Sequence, residues 1–464
     1  VNPVAPLLVY GLGRSGGAVV ARARRAGSPV LFYERRADGP DVAAALATGA
    51  ERVVDVAEAL ARDPAPRTCV AAPGVPIDHP DLARLRAAGV ETIGEVVWVL
   101  RDTPARCIGV TGTAGKGTVT RWITDGLLTA GIDAVAGGNI VPALAAVARP
   151  EATLVIELSS FQLERAPGLR PDVAVVLNLG VDHLDRHGTV VAYHAAKRAL
   201  VRELGPEQTL VGNAEDPLVA AWLDASPARV RRFSLASRGD AFLERSSGRL
   251  WLDGAPLIGV DELRVVGEHQ VANALATALA LDAAGVPRAA IARALAAFAG
   301  LPGRYAEVGR LGEVRFIEDS IATRPLAVEA ALRSTPAPLV WIAGGVDKGA
   351  DVDALGSLLR DRVVLTVGIG ASGPAYAAAA ARYAPAEVIA EADGRLALRA
   401  AVRRGWRELR DRHGGRGAVL LAPLAASFDQ FGDYVERAAA FRAAVAELAG
   451  DAADDEGVTW TPSS

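Results

Sequence analysis

A chain of 464 residues, 51% hydrophobic and 22% charged, is long enough for about three domains at roughly 150 residues each and can bury sizeable cores. A formal charge of -4, from 50 basic and 54 acidic residues, supplies no basic field of the kind that binds nucleic acid or an anionic membrane. No apolar run reaches the roughly 18 residues a membrane span needs, so a soluble enzyme or binding protein is expected.

The N-terminal run VNPVAPLLVYGLG has neither a basic leader nor a long apolar stretch, so no export signal is expected. Two cysteines, Cys69 and Cys107, without CxxC spacing fit a reducing compartment, and the cytoplasm is the expected location. Lysine is the informative residue: only Lys116, Lys197 and Lys348 occur among the 50 basic residues. Arginine supplies nearly all the positive charge, so lysine survives where a compact ammonium or a neutralisable amine is needed.

β-rich runs closed by Gly or Pro alternate with Ala/Arg/Leu stretches of helical period, which predicts an α/β chain built on parallel sheets. In chain order the predicted strands are 7–10, 30–33, 107–111, 154–157, 173–178, 314–318, 339–343, 363–367 and 418–422, with helices within 268–298. Pro and Gly near 101–105 and 300–303 predict hinges, and hence domains over 1–103, 104–301 and 302–464. The tail from Asp451 is acidic and then polar, and is expected to be frayed.

Gly11-Leu-Gly13-Arg14-Ser15-Gly16 follows a strand and opens a helix, and Glu34 ends the next strand at the spacing of a ribose-binding acid. This is a Rossmann-like nucleotide site, with Arg35 and Arg36 adding charge for a diphosphate at a helix N-terminus. By itself it leaves an NAD-dependent oxidoreductase open.

Gly112-Thr113-Ala114-Gly115-Lys116-Gly117-Thr118 joins a strand to a helix as a phosphate loop, with backbone N–H groups to cradle phosphates and Lys116 to reach the terminal ones. It departs from GxxxxGK[ST], with Val110 at the first Gly position and Gly117 where a hydroxyl would ligate magnesium. Glu157 emerges from a buried strand where α/β sheets bind ligands, and its hard oxygens suit magnesium, although Ser159 or Ser160 with a nearby acid equally reads as a helix cap. His183 and His187 cluster after the 173–178 strand, and Lys197 follows on the next helix.

Taken together, GTAGKGT, ELSSFQLE, NLGVDHLDRHG, YHAAK, GEHQVANALA, LPGRY, EDSIATRP, GGVDKGAD and SFDQF resemble the Mur ligases, ATP-dependent amide-forming enzymes of peptidoglycan synthesis. The resemblance spans nearly the whole chain and implies a Rossmann-like first domain, a P-loop ATPase-like second and a Rossmann-like third. DS-x-AT and S-x-DQF point within the family to addition of D-glutamate to UDP-N-acetylmuramoyl-L-alanine through an acyl phosphate, with ATP and two magnesium ions.

By that resemblance, the loop from Gly112 to Thr118 with Asn273, Arg304 and Asp319 holds ATP. Glu157, His183, a carbamylated Lys197 and, in place of the missing hydroxyl, Thr118 serve magnesium. Arg14, Ser15, Arg35, Arg36 and Asn139 match positions around the UDP-sugar, and Thr323, Lys348, Ser427, Phe428 and Tyr434 match the D-glutamate pocket. The family's loop usually has Asn where Ala114 stands and Ser or Thr where Gly117 stands, a Lys where Ile321 stands, and Asn in place of Gln270. These departures keep a second reading open, a catalytically weakened nucleotide-binding relative with a regulatory role. Small-molecule substrates are the expected partners, with a monomer favoured.

Overall fold

The computed structural model describes residues 4–236, 239–265, 267–347, 349–456 and 459–462. Among these, the chain forms three sheets of five, nine and seven strands. The first is wholly parallel, in the order Glu51–Arg52, Val30–Tyr33, Leu7–Tyr10, Thr68–Ala71, Glu91–Ile93. The strands are short apolar runs and the helices between them cover both faces, the arrangement parallel strands require.

In the second sheet, Cys107–Thr111 lies between Thr153–Glu157 and Val173–Val176, all parallel and buried along their length. Thr209–Asn213 and Arg229–Ser234 extend it, and an antiparallel meander from Ala241 to Gly259 ends it. The third sheet has a parallel centre, Val363–Ile369, Leu339–Gly344, Arg416–Leu421 and Glu313–Glu318. Every strand expected from the sequence is present, displaced at its ends by two residues at most.

The chain divides into two compact units, residues 1–262 with 272–296, and residues 263–271 with 297–464. The first two sheets belong to the first unit because they share a core, in which Val9, Leu12, Val97 and Val99 pack in one cluster with Leu144, Leu154 and Leu200. Burying one such side chain contributes about 1.5–3 kcal/mol. The second unit carries clusters on both faces of the third sheet, one around Phe316, Trp406 and Phe441, the other around Trp341, Leu359 and Tyr376.

One expectation is corrected here: the described residues of the tail hold regular structure. The helix Tyr434–Glu456 continues through Asp451, and Trp460–Pro462 pairs antiparallel with Ala306–Leu311. The expectation overlooked Trp460, whose ring packs on the core and occupies the space a side chain at Gly309 would need.

Among the described residues no helix is long and apolar enough to cross a membrane. Both cysteines are buried free thiols, pushed up to about 12 by loss of solvent.

Candidate active site

The strand Cys107–Thr111 delivers the chain to the phosphate loop, and the helix Lys116–Thr129 leaves it. The turn needs glycine at Gly115, where φ is +82° and a Cβ would stand 2.7 Å from the side-chain oxygen of Asn273. Asn273 therefore lies against the loop.

Ala114, the departure from the family's Asn, leaves the loop's shape intact because Asn178 holds it from the neighbouring strand end. The Asn178 Oδ1 accepts from the Ala114 N–H at 2.8 Å, and its amide donates to the Ala114 carbonyl at 3.2 Å. Thr113 adds a bond from its N–H to the Asn178 carbonyl at 3.0 Å, while its hydroxyl accepts from the Gly180 N–H at 2.9 Å and meets the Tyr193 hydroxyl at 3.1 Å. Gly117 and Thr118 are buried in the first helical turn, which places Thr118 beside the loop.

Two of the three lysines meet at this loop. Lys116 Nζ donates to the carbonyls of Gly112 at 3.0 Å and Thr113 at 3.1 Å, and Lys197 Nζ donates to the same Gly112 carbonyl at 2.8 Å. Lys197 is fully buried on the helix Val190–Arg202 and lies 4.8 Å from the centre of the Tyr193 ring. Bringing two cations to one carbonyl costs Coulomb energy that an anion offsets. The surroundings are those of a phosphate site.

Glu157 ends its strand buried at 4% exposure. Its Oε1 accepts from the Asn139 amide at 2.7 Å, whereas its Oε2 is buried with no hydrogen-bond partner. An orphaned carboxylate oxygen is costly unless something else meets it, and a hard divalent cation fits such an oxygen. His183 sits in the left-handed conformation at φ 51°, its ring tilted at 55° to that of Phe161 with the centres 4.7 Å apart, and 3.5 Å from the Asp182 carboxylate. Among the described residues no group of three or more His, Cys, Asp or Glu side chains is placed to hold a metal ion.

Sequence reasoning underused the residues behind these groups. Ser159 caps the short helix Ser160–Leu163 in a capping box with Gln162, so the capping reading holds for it. Ser160 instead meets His187 Nε2 at 3.0 Å, and His187 Nδ1 faces Glu164 at 3.1 Å, which also pairs with Arg186 at 3.0 Å. Burial holds the His187 imidazole below its usual range against the opposing pull of Glu164, and its two ring nitrogens tie Ser160 to Glu164 beneath the loop that carries His183. Only the recurrence of polar residues at loop positions hinted at this.

At the first glycine turn, Glu34 accepts from the Leu12 N–H at 3.0 Å, so the acid expected on a ribose fastens the turn itself. Ser15 donates to Glu95, a buried carboxylate that also accepts from the Ala145 N–H at 2.8 Å. Burial raises the Glu95 pKa. Arg14, Arg35, Arg36 and Asn139 are exposed, and the Asn139 amide is the one that donates to Glu157.

In the second unit, Asp319 is buried at a strand end beside Glu318, with its Oδ1 accepting from the Tyr305 N–H at 3.2 Å. Burial, then the Glu318 charge, push its carboxyl up to about 8, and Arg304 opposes the shift. Thr323 is half-buried in a turn, Ser427 is buried, Phe428 is 71% exposed, and Tyr434 lies against Gly303. Lys348 lies outside the described residues.

A phosphate loop on a parallel sheet, backed by a buried lysine and an orphaned acid, and followed by a further α/β sheet, defines a Mur-ligase-type ATP-dependent synthetase. The Mur ligase middle domain family matches residues 110–281. UDP-N-acetylmuramoylalanine–D-glutamate ligase from Thermus thermophilus is 45% identical over 98% of this chain and 99% of its own length, and that from Deinococcus radiodurans is 42% identical over 97% and 94%. The fold is shared with the ADP complex of the ligase MurF from Thermotoga maritima, at a TM-score of 0.57 and 17% identity over 91% of this chain and 96% of that one. The chain belongs to the UDP-N-acetylmuramoylalanine–D-glutamate ligase family.

Proposed function

We propose that the chain joins D-glutamate to UDP-N-acetylmuramoyl-L-alanine at the expense of ATP, in cytoplasmic peptidoglycan precursor synthesis. The observation that carries this is the convergence of Lys116 and Lys197 on the Gly112 carbonyl of the phosphate loop, in a chain 45% identical over 98% of its length to a relative bearing that name.

The γ-phosphoryl group passes to the substrate's terminal carboxylate, giving an acyl phosphate and ADP. The amine of D-glutamate then attacks the carbonyl carbon. The tetrahedral adduct loses a proton and expels phosphate as the amide forms. The barrier to such transfers falls mainly through positioning and electrostatic stabilisation.

Lys116, folded onto the loop carbonyls, turns to the terminal phosphates, and the backbone N–H groups from Gly115 to Thr118 meet the rest. Magnesium, when bound, neutralises phosphate charge; Glu157, His183, a carbamylated Lys197 and Thr118 are the groups to hold it. The unpartnered Oε2 of Glu157 supports that assignment. Asn139 fixes the other oxygen of Glu157 and so aims the free one. Arg14, Ser15, Arg35 and Arg36 take the UDP-sugar, with Glu95 orienting Ser15. Thr323, Lys348, Ser427, Phe428 and Tyr434 take D-glutamate.

The test is phosphate release by purified protein with ATP, magnesium, UDP-N-acetylmuramoyl-L-alanine and D-glutamate, each omitted in turn. Release that needs all four, and is lost with L-glutamate, glycine or diaminopimelate, is the expected result. Nucleotide binding without turnover across a wide magnesium range would overturn the proposal.

A further inference from the structure

Arg437 lies on the helix Tyr434–Glu456 and is 1% exposed. Burying a guanidinium is costly unless its donors are satisfied, and Arg keeps its charge where Lys would lose it. Its donors go to main chain at three places. Nη2 donates to the Ser320 carbonyl at 2.8 Å and the Ala425 carbonyl at 3.0 Å, Nη1 to the Gly344 carbonyl at 3.4 Å, and Nε to the Ser320 hydroxyl at 2.9 Å.

Those acceptors lie at or just beyond the C-terminal ends of three adjacent parallel strands, Glu313–Glu318, Arg416–Leu421 and Leu339–Gly344. The segments that continue from them carry Thr323, Ser427 and Lys348. The junction is tight. A Cβ on Gly345 would stand 3.2 Å from Arg437 Nη1 and 2.1 Å from the Ala426 carbonyl, and Val346 and Ala426 exchange backbone bonds of 2.8 and 3.0 Å. Asp319, by contrast, is held by other bonds, its N–H to Leu421 at 2.8 Å and its carboxylate to Tyr305.

We infer that Arg437 is the positioning residue of the amino-acid pocket, a buried fork that sets the spacing of the three strand ends from which the amino-acid-binding segments issue. The inference rests on the proposed assignment of D-glutamate to those segments. A lysine keeps the charge but presents it as a point, without a planar set of donors to span three strand ends. Loss of the fork therefore displaces the amino-acid segments while the separately anchored Asp319 stays in place.

The experiment is steady-state phosphate release by the full chain for the wild type, Arg437→Lys and Ser320→Ala, with each substrate varied in turn. For Arg437→Lys the expected result is a rise of about tenfold or more in KM for D-glutamate, with KM for ATP and for the UDP-sugar within about threefold of wild type. Ser320→Ala, which removes only the Nε acceptor, should give a smaller rise of the same kind. The double variant should be little worse than Arg437→Lys, since both act on one contact. If Arg437→Lys does not fold, the D-glutamate KM of Ser320→Ala decides. Equal changes in all three KM values, or a fall in kcat with KM for D-glutamate unchanged, would overturn the inference. A wild type inactive with D-glutamate but active with another amino acid overturns the functional proposal instead, and the KM split is then read for that amino acid.

Discussion

Lys197→Arg probes the centre of the site. The Nζ atoms of Lys116 and Lys197 donate to one carbonyl at 3.0 and 2.8 Å. Two ammonium groups so placed stand on the order of 5 Å apart and repel by roughly 3 kcal/mol at an effective dielectric near 20. Carbamylation of Lys197 reverses its charge and turns that repulsion into an attraction of similar size, a swing of about 6 kcal/mol.

Arginine keeps the positive charge, cannot form the carbamate, and sets a bulkier planar group against the Tyr193 ring. If half of the swing is expressed in the transition state, about 3 kcal/mol, kcat/KM falls roughly a hundredfold. Initial rates of phosphate release measure this, with bicarbonate added to or stripped from the buffer. The wild type should lose rate on stripping and regain it on addition, and the variant should respond to neither. A Lys197→Arg enzyme within about threefold of wild type would refute the reasoning.

Gly117→Ser restores a hydroxyl to the first turn of the loop helix and should lower the magnesium concentration for half-maximal rate; an unchanged requirement in a magnesium titration would show that Thr118 or solvent already fills the role. Asp319, pushed up to about 8, keeps a proton that an unfolded aspartate, with a pKa of about 3.9, has already lost. Its contribution to stability therefore falls as pH rises from about 4 to 8, and Asp319→Asn should flatten that slope in thermal melts of the ligand-free protein, whereas parallel slopes would contradict the assignment. Gly309→Ala collides with the Trp460 ring and should release the strand Trp460–Pro462, read as faster C-terminal cleavage in limited proteolysis; unchanged cleavage would show the tail is held by other contacts.

The sequence carries the parallel core plainly. Strands such as Leu7–Tyr10, Val30–Tyr33 and Cys107–Thr111 are continuous apolar runs closed by glycine, and buried parallel strands must be written that way. The meander from Ala241 to Gly259 and the edge strand Trp460–Pro462 escaped notice because strands with one wet face carry a weaker pattern.

In the site, Lys116 and Lys197 stood out because lysine is so scarce here, and Glu157 because it ends a buried strand. Asn178, His187 and Arg437 did not stand out. Each acts through main-chain or side-chain partners brought near only by the folded sheet, and one arginine among so many has no local mark. Glu34 has a second role that its spacing did not signal, since its carboxylate fastens the Leu12 turn.

The two bonds between Asn178 and the backbone of Ala114 have an evolutionary consequence. With the curve of the loop clamped from an adjoining strand, residue 114 is relieved of structural duty and its side chain can drift at little folding cost. That makes position 114 a natural site for varying the side chain offered to the phosphates by library selection, while Asn178 is the residue such a library should leave untouched.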